Sequence, residues 1–273
     1  MRWINRRPGR SVALALAALP FALALLAYLI GSDLRLAANP NDKLLPSMQQ
    51  MAAAVERLAF QEDRRSGEYL FWGDTLKSLQ RLGLGVGLSA LMGLIFGLAI
   101  GLLPTARSLL SAFVAVLCLI PPLALLPILF IVFGLGEVAK VTLIVIGITP
   151  FLIRDLSQRT LEIPGEQLIK AQTLGAGTWQ IVLRVALPQV LPRLIIALRL
   201  ALGPAWLFLI AGEAIAATGG LGYRIFLVRR YLAMDVILPY VMWITLMAFA
   251  FDLLLRFASQ RAFRWAHADG NDL

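Results

Sequence analysis

Residues 159–192 read RTLEIPGEQLIKAQTLGAGTWQIVLRVALPQVLP, the longest polar interruption in the second half of an otherwise apolar chain. Pro164 suits the first turn of a helix because its ring already holds a helical φ. Residues 165–174 can then form about ten helical residues, which Gly175 can end in a left-handed cap. The stretch therefore predicts a short helix between two apolar segments.

The second half of this stretch predicts another short helix. The Thr178 hydroxyl can cap its start, and Pro188 and Pro192 lack the amide hydrogens that would extend it unbroken into the next apolar segment. Two short helices at an angle, presented at a membrane face, suit docking better than catalysis. An ordinary loop between two membrane helices fits the same architecture.

The stretch resembles the EAA loop of binding-protein-dependent ABC importer permeases, written as Glu-Ala-Ala, two residues, Gly, nine residues, Ile, one residue and Leu-Pro. Lys170 and Gln172 stand where that motif has Glu and the second Ala. The Leu-Gly-Ala run at 174–176, Trp179 and the Leu-Pro pair at 191–192 are similar to the nitrate, sulfonate, taurine and bicarbonate branch. The residues that the resemblance assigns to ATPase coupling are Lys170, Ala171, Gln172, Leu174, Gly175, Trp179, Val185, Leu187 and Pro188.

The resemblance extends over roughly residues 70–260 and implies a type I ABC importer permease. Residues 159–188, here called the coupling loop, would fit a groove on an ATPase subunit. The implied partners are two ATP-binding cassette subunits that hold ATP and Mg, a periplasmic solute-binding protein, and a second, identical permease chain. This chain itself is expected to bind no cofactor. The branch implies a small anion such as a sulfonate, taurine or nitrate, and an ABC permease for another small solute is the alternative.

The composition independently predicts an all-α, polytopic membrane protein. Hydrophobic residues make up 59% of the chain and charged residues 15%, and the mean hydropathy is +0.79. A helix needs about 20 apolar residues to cross the hydrocarbon layer, with every backbone polar group satisfied inside the segment. Six segments meet this requirement and predict six transmembrane helices: 12–30, 82–103, 109–133, 138–153, 193–213 and 236–255.

These spans divide the chain into three parts. Residues 1–73 hold the N-terminal tail, the first span and a periplasmic amphipathic segment; residues 74–260 form the permease core of five spans; residues 261–273 form a cytoplasmic tail. Short basic flanks stay in the cytoplasm, and four arginines precede the first span: Arg2, Arg6, Arg7 and Arg10. We therefore expect a multi-pass protein of the bacterial inner membrane with both termini in the cytoplasm. The net charge of +9 then reflects basic residues that flank spans and contact lipid, not a nucleic-acid site.

Two patterns lie in and before the second span. After Pro46 and Ser47, apolar residues recur at helical spacing over residues 48–59, which predicts an amphipathic helix on the outer membrane surface, against neighbouring spans or at a partner. The charged residues 61–68 predict a solvated loop. Gly93, Gly97 and Gly101 share one helix face, which suits close packing in the monomer core or in a dimer interface.

Prolines and ionisable residues inside spans predict the translocation pathway. Pro121 and Pro122 break the third span, and broken backbone is tolerated in a bilayer only beside protein or a water-filled cavity. A merely kinked packing helix is the alternative. Arg199 in the fifth span either lines the pathway or pairs with another helix.

The outer end of the fifth span resembles a gate segment of the same family. Glu213 and the following Gly220, Gly222 and Tyr223 carry that resemblance and imply a gate or pathway role. A structural hydrogen bond is the alternative for the glutamate. The arginines at 224, 229 and 230 follow on the predicted outside, where they would attract an anionic solute or acidic partner, or anchor the interface.

The chain is not expected to be an enzyme. It contains no GxxxxGK[ST] phosphate loop, so ATP hydrolysis is expected on a separate partner. One His and one Cys make no metal-ligand cluster. A secondary transporter driven by an ion gradient would ordinarily carry several ionisable groups near midspan, where Arg199 is the main one. A membrane scaffold protein is a third possibility, distinguished by the absence of solute uptake.

Overall fold

The structure is a computed structural model that describes residues 9–40, 42–63 and 67–267, so Arg2, Arg6 and Arg7 and residues 64–66 of the predicted loop lie outside it. Within these ranges every regular element is helical. The α-helices are α1 (Arg10–Ala38), α2 (Met48–Phe60), α3 (Leu70–Leu102), α4 (Pro104–Leu117), α5 (Leu126–Phe133), α6 (Glu137–Leu161), α7 (Gly165–Thr173), α8 (Thr178–Ile181), α9 (Leu187–Ala216), α10 (Leu221–Arg229) and α11 (Met234–Ala262). The all-α prediction is confirmed.

Four helical segments of the described chain are long and apolar enough to cross a membrane. These are Ser11–Ala38, Leu70–Leu102, Thr178–Ala216 and Met234–Ala262. A fifth span results if α4 and the segment Pro122–Phe133, bent by 83° at their junction, count as one. The predicted break at Pro121 and Pro122 is present, whereas the count of six spans stays a prediction.

The chain divides into two compact units, Met1–Tyr69 with Val228–Tyr240, and Leu70–Leu227 with Val241–Leu273. In the first unit the end of α1 holds the segment that leads to α2. The Tyr28 hydroxyl donates to the Pro46 carbonyl at 2.6 Å, and the Ser32 hydroxyl donates to the Leu45 carbonyl at 3.0 Å. These bonds to backbone carbonyls anchor the start of α2.

The predicted amphipathic helix is α2. The Ser47 hydroxyl accepts the Gln50 amide at 3.2 Å, and the Gln50 side chain accepts the Ser47 amide at 2.8 Å, which satisfies two free donors at the helix start. Met51, Ala54 and Ala59 are buried, so α2 has one covered face.

The core of the second unit is formed by α3, α6 and α9. The middle of α6 is almost fully buried, and Leu152 and Leu156 are 0% exposed. The α3 glycines lie directly against this helix: a Cβ on Gly93 would be 2.9 Å from the Leu152 Cβ, and one on Gly97 would be 2.7 Å from the Leu156 Cβ. The small-residue face therefore packs within the monomer, which decides between the two interpretations left open by the sequence.

Gly97→Ala is expected to destabilise the protein because the added methyl group overlaps the Leu156 Cβ. Overpacking a tight contact typically costs about 1–3 kcal/mol. Gly87→Ala is the matched control, since it lies on the same helix with nothing within 4 Å of the added Cβ. Thermal unfolding in detergent checks this pair. Equal midpoints for the two variants would contradict the close packing of α3 on α6.

The second short helix of the coupling loop differs from its prediction. It does not end at Pro188 or Pro192; the helical path runs without interruption over Thr178–Ala216. Val182–Ala186 form a π-helical turn, in which the Leu187 amide donates to the Val182 carbonyl five residues back. This wider turn lies immediately before Pro188 and accommodates the missing amide, as π-bulges and local adjustments do elsewhere.

Candidate functional site

The coupling loop begins with α7, which ends as predicted at a left-handed glycine. Gly175 has a φ of +83°. Its amide donates to the Gln172 carbonyl at 2.9 Å, and the Ala176 amide donates to the Ala171 carbonyl at 3.0 Å. This pair of bonds is a Schellman cap, which satisfies two carbonyls at the helix end. Gln172 contributes its backbone to the cap, so its departure from the motif's alanine leaves the turn intact.

The start of α8 is held differently from the prediction. The Thr178 hydroxyl makes no cap; Gly177 precedes the helix, and its amide donates to the Gln180 side-chain oxygen at 2.9 Å. Gln180 lies in the third helical position and reaches back to the chain before the helix, which is half of a capping box. The predicted role of Thr178 is therefore wrong, although the position of the helix start is confirmed.

Large apolar side chains are exposed on the coupling loop. Leu174 is 87% exposed, Trp179 is 72% exposed and Ile169 is 60% exposed. They stand in a short and otherwise polar segment, on both sides of the Gly175 turn. An apolar patch with a polar rim marks an interaction site, and tryptophan is enriched among the residues that dominate binding energy.

The coupling loop is also anchored in the core. Ala186 and Val190, just beyond α8, are buried against Leu98, Leu156 and Ile163. Val185 and Leu187 are partly buried and Pro188 is exposed. The loop thus has an exposed apolar side and a side packed against α3 and α6. These contacts make the loop continuous with the close-packed core.

A cleft of about 580 Å³ lies in the second unit, between the break after α4 and the middle of α6 and α9. Helix-disrupting residues contribute to its wall: Pro122, Gly147, Pro150 and Pro204. Pro122 is the one predicted pathway residue that lines it. Mostly apolar walls with few polar groups are the usual composition of small-molecule sites.

A cluster of buried charges occupies the end of the second unit opposite the coupling loop. Glu213, near the end of α9, is 0% exposed. Its carboxylate accepts hydrogen bonds from the Ser78 hydroxyl at 2.7 Å, from the Arg81 guanidinium at 2.7 Å and from the Gly222 amide at 2.8 Å. Arg81 also donates to Glu137 at 2.8 Å. Among the described residues, the hydrogen bonds of Glu213 join α9 to α3 and to the segment at Gly222, which agrees with the hydrogen-bonding alternative for this residue.

The same cluster holds the glycine-rich segment that follows α9. The Asp74 carboxylate accepts the Gly220 amide at 2.8 Å and the Arg224 guanidinium at 2.7 Å. The Arg224 guanidinium also lies 5.9 Å from the centre of the Tyr223 ring, within cation–π range. Arg224 is thus engaged inside the protein, and the hypothesis of an anion- or partner-attracting surface stays a prediction for the exposed Arg229 and Arg230.

Arg199 pairs with another helix. Its guanidinium donates two parallel hydrogen bonds to the Asp252 carboxylate of α11, at 2.7 and 3.0 Å. This bidentate geometry is the strongest form of the pair. Arg199 does not line the cleft, so the inter-helix alternative describes its position in this structure.

Several residues of these sites were missed by the sequence analysis. Asp74, Ser78 and Arg81 recur at i, i+4 and i+7, which places them on one face of α3, and ionisable residues beside a span are candidates for buried pairs. That signal was available. Asp252, Glu137 and the cleft residue Arg154 gave no local signal, because their importance depends on which helix lies opposite.

Apolar helices around a proline-lined cleft, with an anchored loop that exposes apolar side chains at one end, define a subunit of a membrane transport assembly. The chain belongs to the family described as binding-protein-dependent transport system inner membrane component, whose model matches residues 89–264. It is a permease subunit of an ABC importer, a bacterial inner-membrane protein with several spanning helices. In this family nucleotide is bound by a partner ATPase chain. The predicted family is confirmed.

Similar proteins come from the predicted branch. The chain is 36% identical over 194 residues to the taurine transport system permease protein TauC of Escherichia coli, covering 71% of this chain and 70% of that protein. It is 28% identical over 218 residues to the putative aliphatic sulfonates transport permease protein SsuC of Bacillus subtilis, covering 77% and 76%. It is 31% identical over 163 residues to the bicarbonate transport system permease protein CmpB of Synechococcus elongatus, covering 59% and 58%.

Solved structures support the fold. A chain of the MetNI methionine ABC transporter in inward-facing conformations matches with a TM-score of 0.57 at 24% identity, covering 74% of this chain and 98% of that one. A chain of a bacterial ABC transporter involved in alginate import matches with a TM-score of 0.64 at 14% identity, covering 93% and 97%. A related structure is a complex with a periplasmic protein bound to an alginate pentasaccharide. At these identities the likeness concerns the fold alone.

Proposed function

We propose that two identical copies of this chain form the pathway for a small solute that carries an oxyanion group, such as taurine, another sulfonate or nitrate. Two ATPase subunits carrying ATP and Mg would dock on the coupling loops, and a periplasmic binding protein would deliver the solute at the opposite end. Both termini would lie in the cytoplasm with the coupling loop. The similarity to taurine, sulfonate and bicarbonate permeases supports the anionic solute.

The observation that carries the docking proposal is the exposed apolar patch on the coupling loop. Leu174 and Trp179 flank the Gly175 turn and are among the most exposed large apolar side chains of the described residues. A groove on the ATPase would remove both from water. The nine coupling residues assigned from the motif belong to the same proposal, with Gly175 shaping the loop and Val185 and Leu187 fixing it to the core.

A continuous helix offers the route for coupling. The segment Thr178–Ala216 carries Trp179 at one end and the cleft residues Leu200 and Pro204 further along. Twenty-five helical residues from Trp179 to Pro204 correspond to about 38 Å. Closure of the ATPase pair on ATP would move the docked end, and the helix would carry that displacement to the cleft wall. Hydrolysis would reset it.

We also propose that the glycine-rich segment after α9, at the end opposite the coupling loop, acts as a gate. Glu213, Gly220, Gly222 and Tyr223 lie in or beside the buried charged cluster, where Asp74 and Arg81 brace them. Pro121 lies at the break that forms one wall of the cleft. In this proposal the braced segment moves as a unit when the cleft opens to the binding protein, while Arg199 keeps α9 and α11 together through Asp252.

Trp179→Ala is expected to weaken docking because it removes a large apolar anchor from the loop. Loss of an interface hot spot typically costs about 2–4 kcal/mol, or on the order of 30- to 1,000-fold in affinity. The tagged chain would be purified from its native membrane in mild detergent, and the ATPase recovered with it would be quantified. Trp265→Ala is the control, since Trp265 is 57% exposed but lies outside the coupling loop.

Wild-type protein should recover a soluble ATPase, and cells that express the complete transporter should take up labelled taurine or nitrate. Equal ATPase recovery for Trp179→Ala and Trp265→Ala would overturn the docking assignment. If the wild type takes up none of taurine, nitrate, alkanesulfonates and bicarbonate, the proposal of an anionic solute is overturned.

A further inference from the structure

One positively charged side chain lines the cleft in the second unit. Among the described residues that line it, Arg154 alone has a charged side chain; the others are aliphatic, aromatic, proline or glycine residues and Cys118. Arg154 is exposed, and it lies seven residues before the end of α6 at Leu161, which corresponds to about 10 Å along the helix. It therefore stands in the part of the cleft nearer the coupling loop.

Arg154 differs from three other arginines of the second unit, which are wholly or partly buried. Arg81, Arg199 and Arg224 each donate to a carboxylate. Within the described part of the chain, the Arg154 side chain makes no hydrogen bond or ion pair. Arg154 lies one residue beyond the predicted span 138–153, and ionisable side chains in or beside such helices usually face a bundle interior, a water-filled cavity or a partner. An anion that enters the cleft from solution would provide that partner for the Arg154 guanidinium.

We propose that Arg154 binds the transported oxyanion as it leaves the cleft toward the coupling loop. This inference rests on the proposed function and assigns the residue that selects for negative charge. A guanidinium presents two parallel N–H donors that match the oxygens of a sulfonate, carboxylate, nitrate or bicarbonate group. The other described side chains that line the cleft carry no charge, so Arg154 sets the sign of the electrostatic potential there.

The native cysteine allows this charge to be measured without transport. Cys118 lines the same cleft and is the only cysteine of the chain. Its thiolate attacks a methanethiosulfonate reagent, forming a mixed disulfide and releasing methanesulfinate. The 2-sulfonatoethyl reagent is an anion, and the 2-(trimethylammonium)ethyl reagent is a cation of similar size. The ratio of their rates reports the potential in the cleft, because any change in the reactivity of the thiolate cancels.

The labelling would be done on the complete transporter in membrane vesicles and followed by mass spectrometry. A unit charge about 10 Å away across water changes the anion-to-cation rate ratio by about fourfold, and a drier path changes it more. Arg154→Gln is therefore expected to lower the ratio by about two- to fourfold in low-salt buffer, where ionic screening is weak, and Arg154→Lys to preserve it. Arg193→Gln should have no effect, since Arg193 is an exposed arginine on α9 that does not line the cleft.

A ratio that is equal in wild type, Arg154→Gln and Arg193→Gln would overturn the inference, since Arg154 would then point to lipid headgroups instead. Failure of both reagents to label wild-type Cys118 would also overturn it, because the cleft would not be open to water.

Uptake measurements then test whether the Arg154 charge acts on the transported solute. In Arg154→Gln the KM for taurine or nitrate uptake is expected to rise about tenfold or more, since a lost charged hydrogen bond weakens binding by that order. An unchanged KM would overturn the assignment. A wild type that transports no tested anion would instead refute the proposed function, while the labelling ratio would still decide whether Arg154 attracts anions.

Discussion

Gly175→Val is expected to reduce solute uptake at least tenfold while the protein remains in the membrane and the ATPase continues to hydrolyse ATP. A φ of +83° is open to glycine, whereas an L-residue pays about 1–2 kcal/mol there and a β-branched one more. The Schellman bonds of Gly175 and Ala176 would then be lost in most molecules. The exposed side chains on the two sides of the turn would no longer hold the relative positions that docking requires.

The matched control for this variant is Gly177→Val. Gly177 lies two residues further on, with a φ of −70° and a ψ of 162°, an extended conformation that valine adopts readily, and nothing lies within 4 Å of an added Cβ. Uptake and ATP hydrolysis would be measured together in reconstituted vesicles. The expected result is a lower number of solute molecules per ATP for Gly175→Val only. Normal coupling in that variant would show that the cap is not required.

Glu213→Ala is expected to destabilise the protein more than any substitution on its surface, because the lost carboxylate is fully buried. It removes the acceptor for Ser78, Arg81 and Gly222 and leaves the 5%-exposed Arg81 with Glu137 as its remaining carboxylate. Removing one partner of a buried ion pair typically costs about 3–5 kcal/mol. For a protein of this size that corresponds to a fall of about 10 °C in Tm.

Glu137→Ala is the control within the same cluster. Glu137 bonds Arg81 and the buried Lys140, but its own side chain is 61% exposed, and Arg81 keeps the fully buried Glu213 as a partner when Glu137 is lost. Its loss should therefore lower Tm less than the loss of Glu213 does. Glu213→Gln should fall between the two, since the amide oxygen can still accept one backbone hydrogen bond. Thermal unfolding in detergent measures all three. A Glu213→Ala protein as stable as Glu137→Ala would show that the buried pair contributes little.

Local chemistry explains why parts of the coupling loop were predictable. Pro164 before a helix and Gly175 after it act on their own backbone, so the bounds of α7 and its left-handed cap followed from residue type. The predicted cap of α8 was wrong because only the Thr178 hydroxyl was considered, whereas the Gln180 side chain also reaches a backbone amide at this helix start and makes the bond. The prediction that Pro188 interrupts the helix was wrong because a π-helical turn, which is a rare element, precedes it and lets the helix continue without the proline amide.

The sequence by itself predicted an all-helical membrane protein of a known family and the two short helices of its loop, because apolar length and backbone-shaping residues act locally. Only the tertiary structure decided which faces meet. It placed the α3 glycines against α6 and paired Arg199 with Asp252. It also enclosed Glu213 among Ser78, Arg81 and Gly222, and left Arg154 facing the cleft. These contacts are between residues far apart in the chain. They depend on the balance between packing and charge burial across several helices, which no single segment of the sequence determines.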